Sequence, residues 1–376
     1  MKVILISWDV EGKILYDLIK QEYQIDYIVE RNPDLWRKYN EYEIISFSKA
    51  LDLYMNNSSY KFIIPCMRGV NVHTEIYMSL LERGVKVYDV LYAPLKIFKE
   101  RHMSNEDKKE LICLFDDRTD LDFLVLHIAE GCNLSCAHCS MFAGLIKSKK
   151  NVDFEKTKKG IKKLKKIFDQ ILVFKVMGGE PFLNNQIVDY CRYIRQTYPL
   201  TDIEIVTNGT LLMKQSKETI QALVDLNVTL DISYYSISND IIDELNEYLN
   251  QLNIKHFFTY EIREFFKAYN FEKKNQANEV FKRCKIKFNC VNMKENRLAV
   301  CHVPFGMEVA AKEFKIKISQ SDYGFIDLDD KTLTARKCIN FMNQSHEICK
   351  YCSIDSRVIW EEFKPGEEKN VEYWSV

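Results

Sequence analysis

The sequence predicts an α/β protein in which parallel strands alternate with helices. Strand-like apolar segments alternate with helical segments over residues 1–100, and the same unit repeats over residues 121–265. In the second region, short motifs of Cys, Gly and Asn follow the strand ends, which is where parallel barrels carry their chemistry. A cysteine-rich tail over residues 266–376 completes the predicted organisation.

Residues 1–105 are predicted to form a small Rossmann-like domain with a parallel sheet. Its expected strands are 3–6, 25–29, 61–65 and 85–90, and its expected helices are 12–20 and 73–83. The turn after the first strand has one glycine, Gly12, where a dinucleotide fingerprint requires three, and Trp8 and Asp9 would crowd a pyrophosphate. Glu30, at the second strand end, is a candidate ribose ligand or a solvated acid. NAD binding is not expected, and a docking or substrate-carrying role is the alternative.

Residues 101–120 are charged and poorly periodic, which is typical of a domain boundary. The unit that follows is predicted to end at residue 265, and its strands are expected at 123–128, 171–177, 203–206, 228–233 and 254–260. Strands that alternate with helices in this way predict a parallel barrel or partial barrel.

Three cysteines lie on one loop after the strand over 123–128. Cys132, Cys136 and Cys139 have the spacing C-x3-C-x2-C. Three thiolates can hold three irons of a cubane cluster and leave the fourth iron open to a non-protein ligand. An open metal position is where chemistry takes place. The alternative is a zinc knuckle that adds His138 to the same thiols.

A second motif, Gly178-Gly179-Glu180-Pro181, ends the strand over 171–177. Glycines allow a backbone to approach a ligand closely. The carboxylate of Glu180 can accept charge-assisted hydrogen bonds from an ammonium group. A zinc site has no use for such a strand end, so this motif favours the iron–sulfur interpretation.

The two motifs resemble those of the radical S-adenosylmethionine (radical SAM) superfamily. The resemblance implies a partial (β/α)6 barrel in which a [4Fe–4S] cluster binds SAM and cleaves it to a 5′-deoxyadenosyl radical. The GGEP residues would bind the SAM amino group, and His138 would stack on adenine where the family usually has Tyr, Phe or Trp. Ser233 would bind the SAM ribose, with Asn208 as the second candidate. The alternative for both is ordinary turn chemistry.

The tail contains six cysteines: Cys284, Cys290, Cys301, Cys338, Cys349 and Cys352. Residues 290–301 predict a hairpin with its turn near Glu295 and Asn296, where Asn tolerates a left-handed conformation. The arrangement resembles the twitch and SPASM extensions of radical SAM enzymes, which implies one auxiliary [4Fe–4S] cluster. The expected ligands are Cys284, Cys301, Cys349 and Cys352, with Cys290 as first alternate and Cys338 as second. A four-cysteine structural zinc site is the alternative.

Composition limits the partners and the compartment. The chain of 376 residues has 53 basic and 54 acidic residues, so its charge does not favour nucleic acid or an anionic membrane. No apolar stretch approaches a membrane span, and the 12 cysteines indicate metal ligands in a reducing cytoplasm rather than disulfides. The resemblance implies a small-molecule substrate and a reductant such as flavodoxin or ferredoxin.

The expected function is a radical SAM enzyme that oxidises or epimerises a small polar substrate. The N-terminal domain resembles nucleotide-binding-like domains of sugar-modifying proteins, which favours a nucleotide-linked sugar or an aminocyclitol. The alternative is a peptide-modifying enzyme, and such enzymes commonly carry a winged-helix domain that residues 1–100 do not predict. The third hypothesis is a non-catalytic iron–sulfur or zinc protein. The candidates to face the substrate are Tyr234, Tyr235, Glu261 and Arg263.

Overall fold

The computed structural model divides the chain into two compact units, residues 1–122 and residues 123–376. The residues that it describes are 1–6, 10–38, 41–57, 59–65, 72–94, 104, 112–146, 151–235, 241–266, 269–284, 291–353, 356–364 and 367–375. Trp8, Asp9, Cys66 and Cys290 lie outside these ranges. Among the described residues, no helix has the length and apolar character that a membrane crossing requires. The predicted division of the second unit into a barrel and a separate tail domain stays a prediction.

The first unit contains a seven-stranded sheet. Its strands are β1 Lys2–Ile6, β2 Gln24–Val29, β3 Arg37–Lys38, β4 Glu43–Ile45, β5 Tyr60–Pro65, β6 Val90–Ala93 and β7 Cys113–Leu114. They lie in the order β3-β4-β2-β1-β5-β6-β7, in which β3 and β7 at the two edges are antiparallel and the other neighbours are parallel. Among the described residues of this unit, the helices are α1 Val10–Ile19, α2 Phe47–Asn56 and α3 Val72–Glu82. The sheet is the parallel layer that the alternation of segments predicts.

The side chains of the first unit explain this arrangement and correct one predicted strand. Val3 and Leu5 of β1 are fully buried in one cluster with Leu15 of α1, as expected for a parallel strand that is covered on its faces. The predicted strand over 85–90 is wrong because residues 87–89 form a 3-10 turn, so that β6 begins only at Val90. The Glu30 carboxylate accepts hydrogen bonds from the amides of residues 31 and 32, and it therefore caps its own turn.

The second unit is built on an eight-stranded sheet. Its strands are β8 Asp120–Ala129, β9 Gln170–Gly178, β10 Asp202–Thr207, β11 Val228–Ile232, β12 Lys255–Phe258, β14 Asn292–Lys294, β15 Arg297–Ala299 and β16 Phe325–Asp327. The spatial order is β12-β11-β10-β9-β8-β14-β15-β16. The helices that follow β8 to β11 in turn are α4 Phe154–Ile167, α5 Ile187–Thr197, α6 Lys217–Asp225 and α7 Ile242–Gln251. The predicted α/β partial barrel is confirmed.

The described part of the tail adds three helices and a small sheet. The helices are α8 Ala277–Arg283, α9 Val303–Glu313 and α10 Ala335–Met342, and strand β13 Glu264–Phe266 pairs antiparallel with β17 Arg357–Ile359. The predicted hairpin is formed by β14 and β15, and β14 pairs parallel with the strand that precedes the cysteine loop. The left-handed residue of its turn is Glu295, with φ 54°, and not Asn296. The Asn296 side chain instead bonds to Asp327 and Asp329.

Candidate active site

A cavity of about 400 Å³ lies at the carboxyl ends of β8 to β11. Parallel strands of a barrel direct their ends to one face, so the loops that follow them share one site. The volume falls within the range of ligand pockets in proteins. The predicted site residues that line the cavity are Cys132, Cys136, His138, Cys139, Gly178, Gly179, Asn208, Ser233, Cys284 and Cys352. The structure therefore brings both sequence motifs and two tail thiols to one space.

The cysteine loop is folded by short-range hydrogen bonds that hold its three thiols on the cavity wall. The Leu134 amide donates to Cys132 Sγ at 3.4 Å, and the Phe142 amide donates to the Cys139 carbonyl at 2.9 Å. Burial raises the pKa of Cys132 and of Cys136 to about 12. A metal or cluster that binds here must displace the thiol protons. The donor set fits an iron–sulfur cluster, since it provides three thiols on one wall of a ligand-sized cavity.

His138 is directed toward the C-terminal segment of the chain. Its Nδ1 donates to the Tyr373 carbonyl at 2.6 Å, and its Nε2 lies 3.5 Å from Glu361 Oε1. Both ring nitrogens are therefore occupied by partners other than the thiols. This geometry does not support the zinc knuckle that uses His138 as a ligand. Stacking of the ring on adenine stays a prediction.

The two glycines of the second motif are required by the backbone of the cysteine loop. A Cβ atom on Gly178 would lie 2.1 Å from the Ala129 carbonyl oxygen, and one on Gly179 would lie 2.1 Å from the Gly131 carbonyl oxygen. The amides of Gly179 and Glu180 donate to these same two oxygens at 3.0 Å. The close approach thus joins the end of β9 to the base of the loop. It also leaves both glycine backbones on the cavity wall.

The Glu180 carboxylate joins strand ends and does not line the cavity. The side chain is fully buried, and its oxygens accept hydrogen bonds from the Phe182 amide at 3.1 Å, the Thr207 hydroxyl at 2.8 Å and the Asn208 amide at 2.9 Å. Burial raises the pKa of Glu180 to about 7, although these donated bonds oppose the shift. A direct bond from Glu180 to the SAM amino group stays a prediction. Pro181, also buried, begins the turn after the motif.

We expect Glu180→Gln to weaken the fold as well as the site. All three partners donate, so an amide NH2 group that replaces one carboxylate oxygen leaves at least one donor unpaired, at a cost of about 1–3 kcal/mol. Chemical denaturation without SAM measures this loss. Glu247→Gln, at an exposed position of α7, is the control. A normal free energy of unfolding combined with weaker SAM binding would mean that Glu180 contacts the ligand directly.

Asn208 and Ser233 both line the cavity, and both have protein partners. Asn208 Nδ2 donates to Asn133 Oδ1 at 2.9 Å and lies 3.7 Å from Cys132 Sγ. The Ser233 amide donates to the Thr207 carbonyl at 2.8 Å. Four residues are predicted to face the substrate, and of these only Tyr235 is among the residues that line the cavity. The ribose-binding roles of Asn208 and Ser233 stay predictions.

Four tail thiols surround a second, small cavity of about 30 Å³. The cysteines that line it are Cys284, Cys301, Cys349 and Cys352, which are the four expected ligands of the auxiliary cluster. Cys338 is fully buried and does not line this cavity. Burial raises the pKa of Cys352 to about 12. Because Cys284 and Cys352 line both cavities, the tail thiols lie next to the larger one.

The sequence did not indicate a role for the C-terminal strap, which we define as residues 356–364 and 367–375. The strap follows the cysteine loop with backbone hydrogen bonds. The Ala137 amide donates to the Glu361 carbonyl and the Phe363 amide donates to the Ser135 carbonyl, both at 2.9 Å. Trp374, which is almost fully buried, donates from Nε1 to the Cys139 carbonyl at 2.9 Å. The end of the chain therefore fixes the loop that carries the three thiols.

The fold and the cavity define a partial α/β barrel with a three-thiol loop at its mouth. Residues 126–293 match the family profile described as the Radical SAM superfamily. The chain carries a radical SAM domain, and this family implies a [4Fe–4S] cluster and SAM. The predicted family is thereby confirmed, whereas the twitch or SPASM character of the tail stays a prediction.

Similar proteins match parts of the chain. A GTP 3′,8-cyclase of Limosilactobacillus fermentum is 35% identical over 113 residues, which are 29% of this chain and 33% of that protein. A GTP 3′,8-cyclase of Thermodesulfovibrio yellowstonii is 30% identical over 114 residues, 30% of this chain and 35% of that protein. This chain thus spans about a third of the length of these curated relatives. The structure of BtrN in complex with AdoMet and 2-DOIA is 12% identical and has a TM-score of 0.42, covering 62% of this chain and 94% of that one.

Proposed function

We propose that this chain is a radical SAM enzyme that removes hydrogen from a small polar substrate. The observation that carries the proposal is the single cavity that Cys132, Cys136 and Cys139 share with the Gly178-Gly179 backbone. When bound, the cluster and SAM supply one electron and a 5′-deoxyadenosyl radical, with methionine as leaving group, and the radical takes a hydrogen atom from a substrate C–H bond.

The residues of the chain hold and isolate this chemistry. The three thiols are the cluster ligands, and the glycine backbones provide polar groups for a ligand beside them. Apolar side chains of Met177, Val206 and Val303 line the same cavity and offer no hydrogen-bond partners to water there. A dry cavity protects a reactive intermediate from side reactions.

The four tail thiols are proposed to hold an auxiliary [4Fe–4S] cluster. Their support is that all four line one apolar cavity, and that two of them also face the larger one. A substrate radical must lose a second electron to become a carbonyl or an imine, and a cluster at this place can accept it. A structural zinc site remains the alternative because it uses the same ligand type.

The substrate that we propose is a nucleotide-linked sugar or an aminocyclitol. The α/β unit of residues 1–122 and the moderate volume of the cavity support a small polar molecule. GTP is the second candidate, because curated relatives of part of the chain bear the name GTP 3′,8-cyclase. A ribosomally made peptide is the third.

The proposal is tested with anaerobically reconstituted protein, SAM, dithionite and a panel of nucleotide sugars, aminocyclitols, GTP and peptides. A substrate deuterated at the reacting carbon should transfer deuterium to 5′-deoxyadenosine. Oxidation removes two hydrogens from the product mass, whereas epimerisation of the unlabelled substrate leaves it unchanged. Turnover of GTP or of a peptide, with no turnover of any sugar or aminocyclitol, would reject the sugar assignment. The absence of SAM cleavage with every compound would reject the enzymatic proposal.

A further inference from the structure

We propose that Trp360 sets the reduction potential of the cluster held by the loop thiols. The inference rests on the proposed function, because it requires that Cys132, Cys136 and Cys139 bind an iron–sulfur cluster. Trp360 lies in the C-terminal strap, and its indole Nε1 donates a hydrogen bond to Cys136 Sγ at 3.3 Å. The sequence around it, Ile359-Trp360-Glu361, contains no recognised motif.

The indole is held in place by the backbone directly after β17 and by the ring of Tyr235. The Trp360 amide donates to the Arg263 carbonyl at 2.9 Å, directly beside the pairing of β13 with β17. The ring stacks on Tyr235, with centroids 5.1 Å apart and an interplanar angle of 29°. Tyr235 in turn meets Phe265 edge to face at 6.1 Å. Tyr235 and Phe265 both line the larger cavity, so the indole packs behind the wall of that cavity.

The acceptor is fixed by the same segment of the chain. Cys136 forms an isolated antiparallel bridge with Glu362, two residues after Trp360. The bonds of Ala137 to Glu361 and of Phe363 to Ser135 lie on either side of this bridge. Donor and acceptor therefore belong to one short antiparallel pairing. Backbone hydrogen bonds hold the main chains of the two residues side by side, and the stack on Tyr235 holds the indole.

An N–H group directed at a ligand sulfur favours the reduced cluster. Reduction adds negative charge that is shared with the ligand sulfurs, and the positive end of the N–H dipole stabilises this charge. Hydrogen bonds to sulfur and solvent exposure are among the factors that set the potential of such clusters. The effect is larger in a partly buried site, where the local dielectric constant is low. Trp360 thus acts as a positioning residue that makes reduction, and hence SAM cleavage, easier.

The test is Trp360→Phe, which keeps an aromatic ring and removes the N–H donor. The midpoint potential is measured by redox titration of the EPR signal that responds to SAM. We expect the reduction equilibrium constant to fall about tenfold, which is about 59 mV for a one-electron couple. Trp374→Phe is the matched control. Like Trp360, Trp374 lies in the strap and donates an indole hydrogen bond to the cysteine loop, but its acceptor is a carbonyl and not a sulfur. Its midpoint should shift by less than that of Trp360→Phe, because the bond that it removes ends on the loop backbone and not on a ligand sulfur.

Each outcome decides the proposal. An unchanged midpoint in a Trp360→Phe protein with full cluster content would overturn it, as would equal shifts in both variants, since these would show a packing effect. If Trp360→Phe does not retain the cluster, Trp374→Phe protein with 15N-indole tryptophan, which lacks the other indole beside the loop, is examined by pulsed EPR. Coupling of the reduced cluster to an indole nitrogen supports the proposal, and its absence overturns it. If the unaltered protein binds no cluster on the loop thiols, the proposed function fails, and this inference fails with it.

Discussion

Changing Cys132, Cys136 and Cys139 together to Ala is expected to abolish 5′-deoxyadenosine formation. The three thiols are the only cysteines of the loop, and all of them line the larger cavity. Without them no iron is held beside the glycine backbones, so an electron cannot reach bound SAM. The measurement is chromatographic quantification of 5′-deoxyadenosine after reduction with dithionite. Undiminished cleavage by the triple variant would contradict the assignment of the loop.

The same variant tests the tail thiols. Since the two proposed sites share no ligand, the triple variant should still bind about four irons and show a cubane spectrum. Stoichiometric zinc without iron would exclude the auxiliary cluster and favour a structural zinc site. Cys191→Ala is the control, because Cys191 is fully buried in α5 and lines neither cavity. It should retain full iron content and SAM cleavage.

The predicted site residues that the structure brings together follow from local patterns. The strand that precedes the cysteine loop and the strand that ends in Gly178-Gly179 are apolar runs of strand length, and parallel strand ends meet at one face. That geometry is sufficient to bring the thiols and the glycines to one cavity. The resemblance to twitch and SPASM extensions predicts the four tail thiols as ligands, and they line one small cavity.

The parts that the sequence did not indicate depend on contacts between distant residues. The burial of Glu180 follows from its bonds to Thr207 and Asn208, which lie at the end of another strand. The strap binds the cysteine loop largely through backbone groups, and backbone groups leave no signature in residue types. The Trp360 indole meets Cys136 across 224 residues of sequence. Pairings of this kind become visible only when the chain is folded.

Gly179→Ala is expected to damage the site more than its single added methyl group suggests. The new Cβ would lie 2.1 Å from the Gly131 carbonyl oxygen and 2.9 Å from the Cys132 amide nitrogen, so the base of the loop must move. Overpacking of this type costs about 1–3 kcal/mol. The bonds that the Gly179 and Glu180 amides donate to the loop are strained or lost as well, at about 1 kcal/mol each.

The control for this substitution is Gly160→Ala, which produces a comparable clash away from the larger cavity. A Cβ on Gly160 would lie 2.4 Å from the Glu295 carbonyl oxygen and 2.3 Å from Met293 Cε, where α4 packs on the hairpin. Both variants should lower the free energy of unfolding, measured by chemical denaturation. Only Gly179→Ala should also lower the iron bound by the loop and the affinity for SAM, because only its clash moves the backbone at Cys132. Equal iron content and equal SAM affinity in the two variants would show that the glycine pair serves the packing of β9 alone.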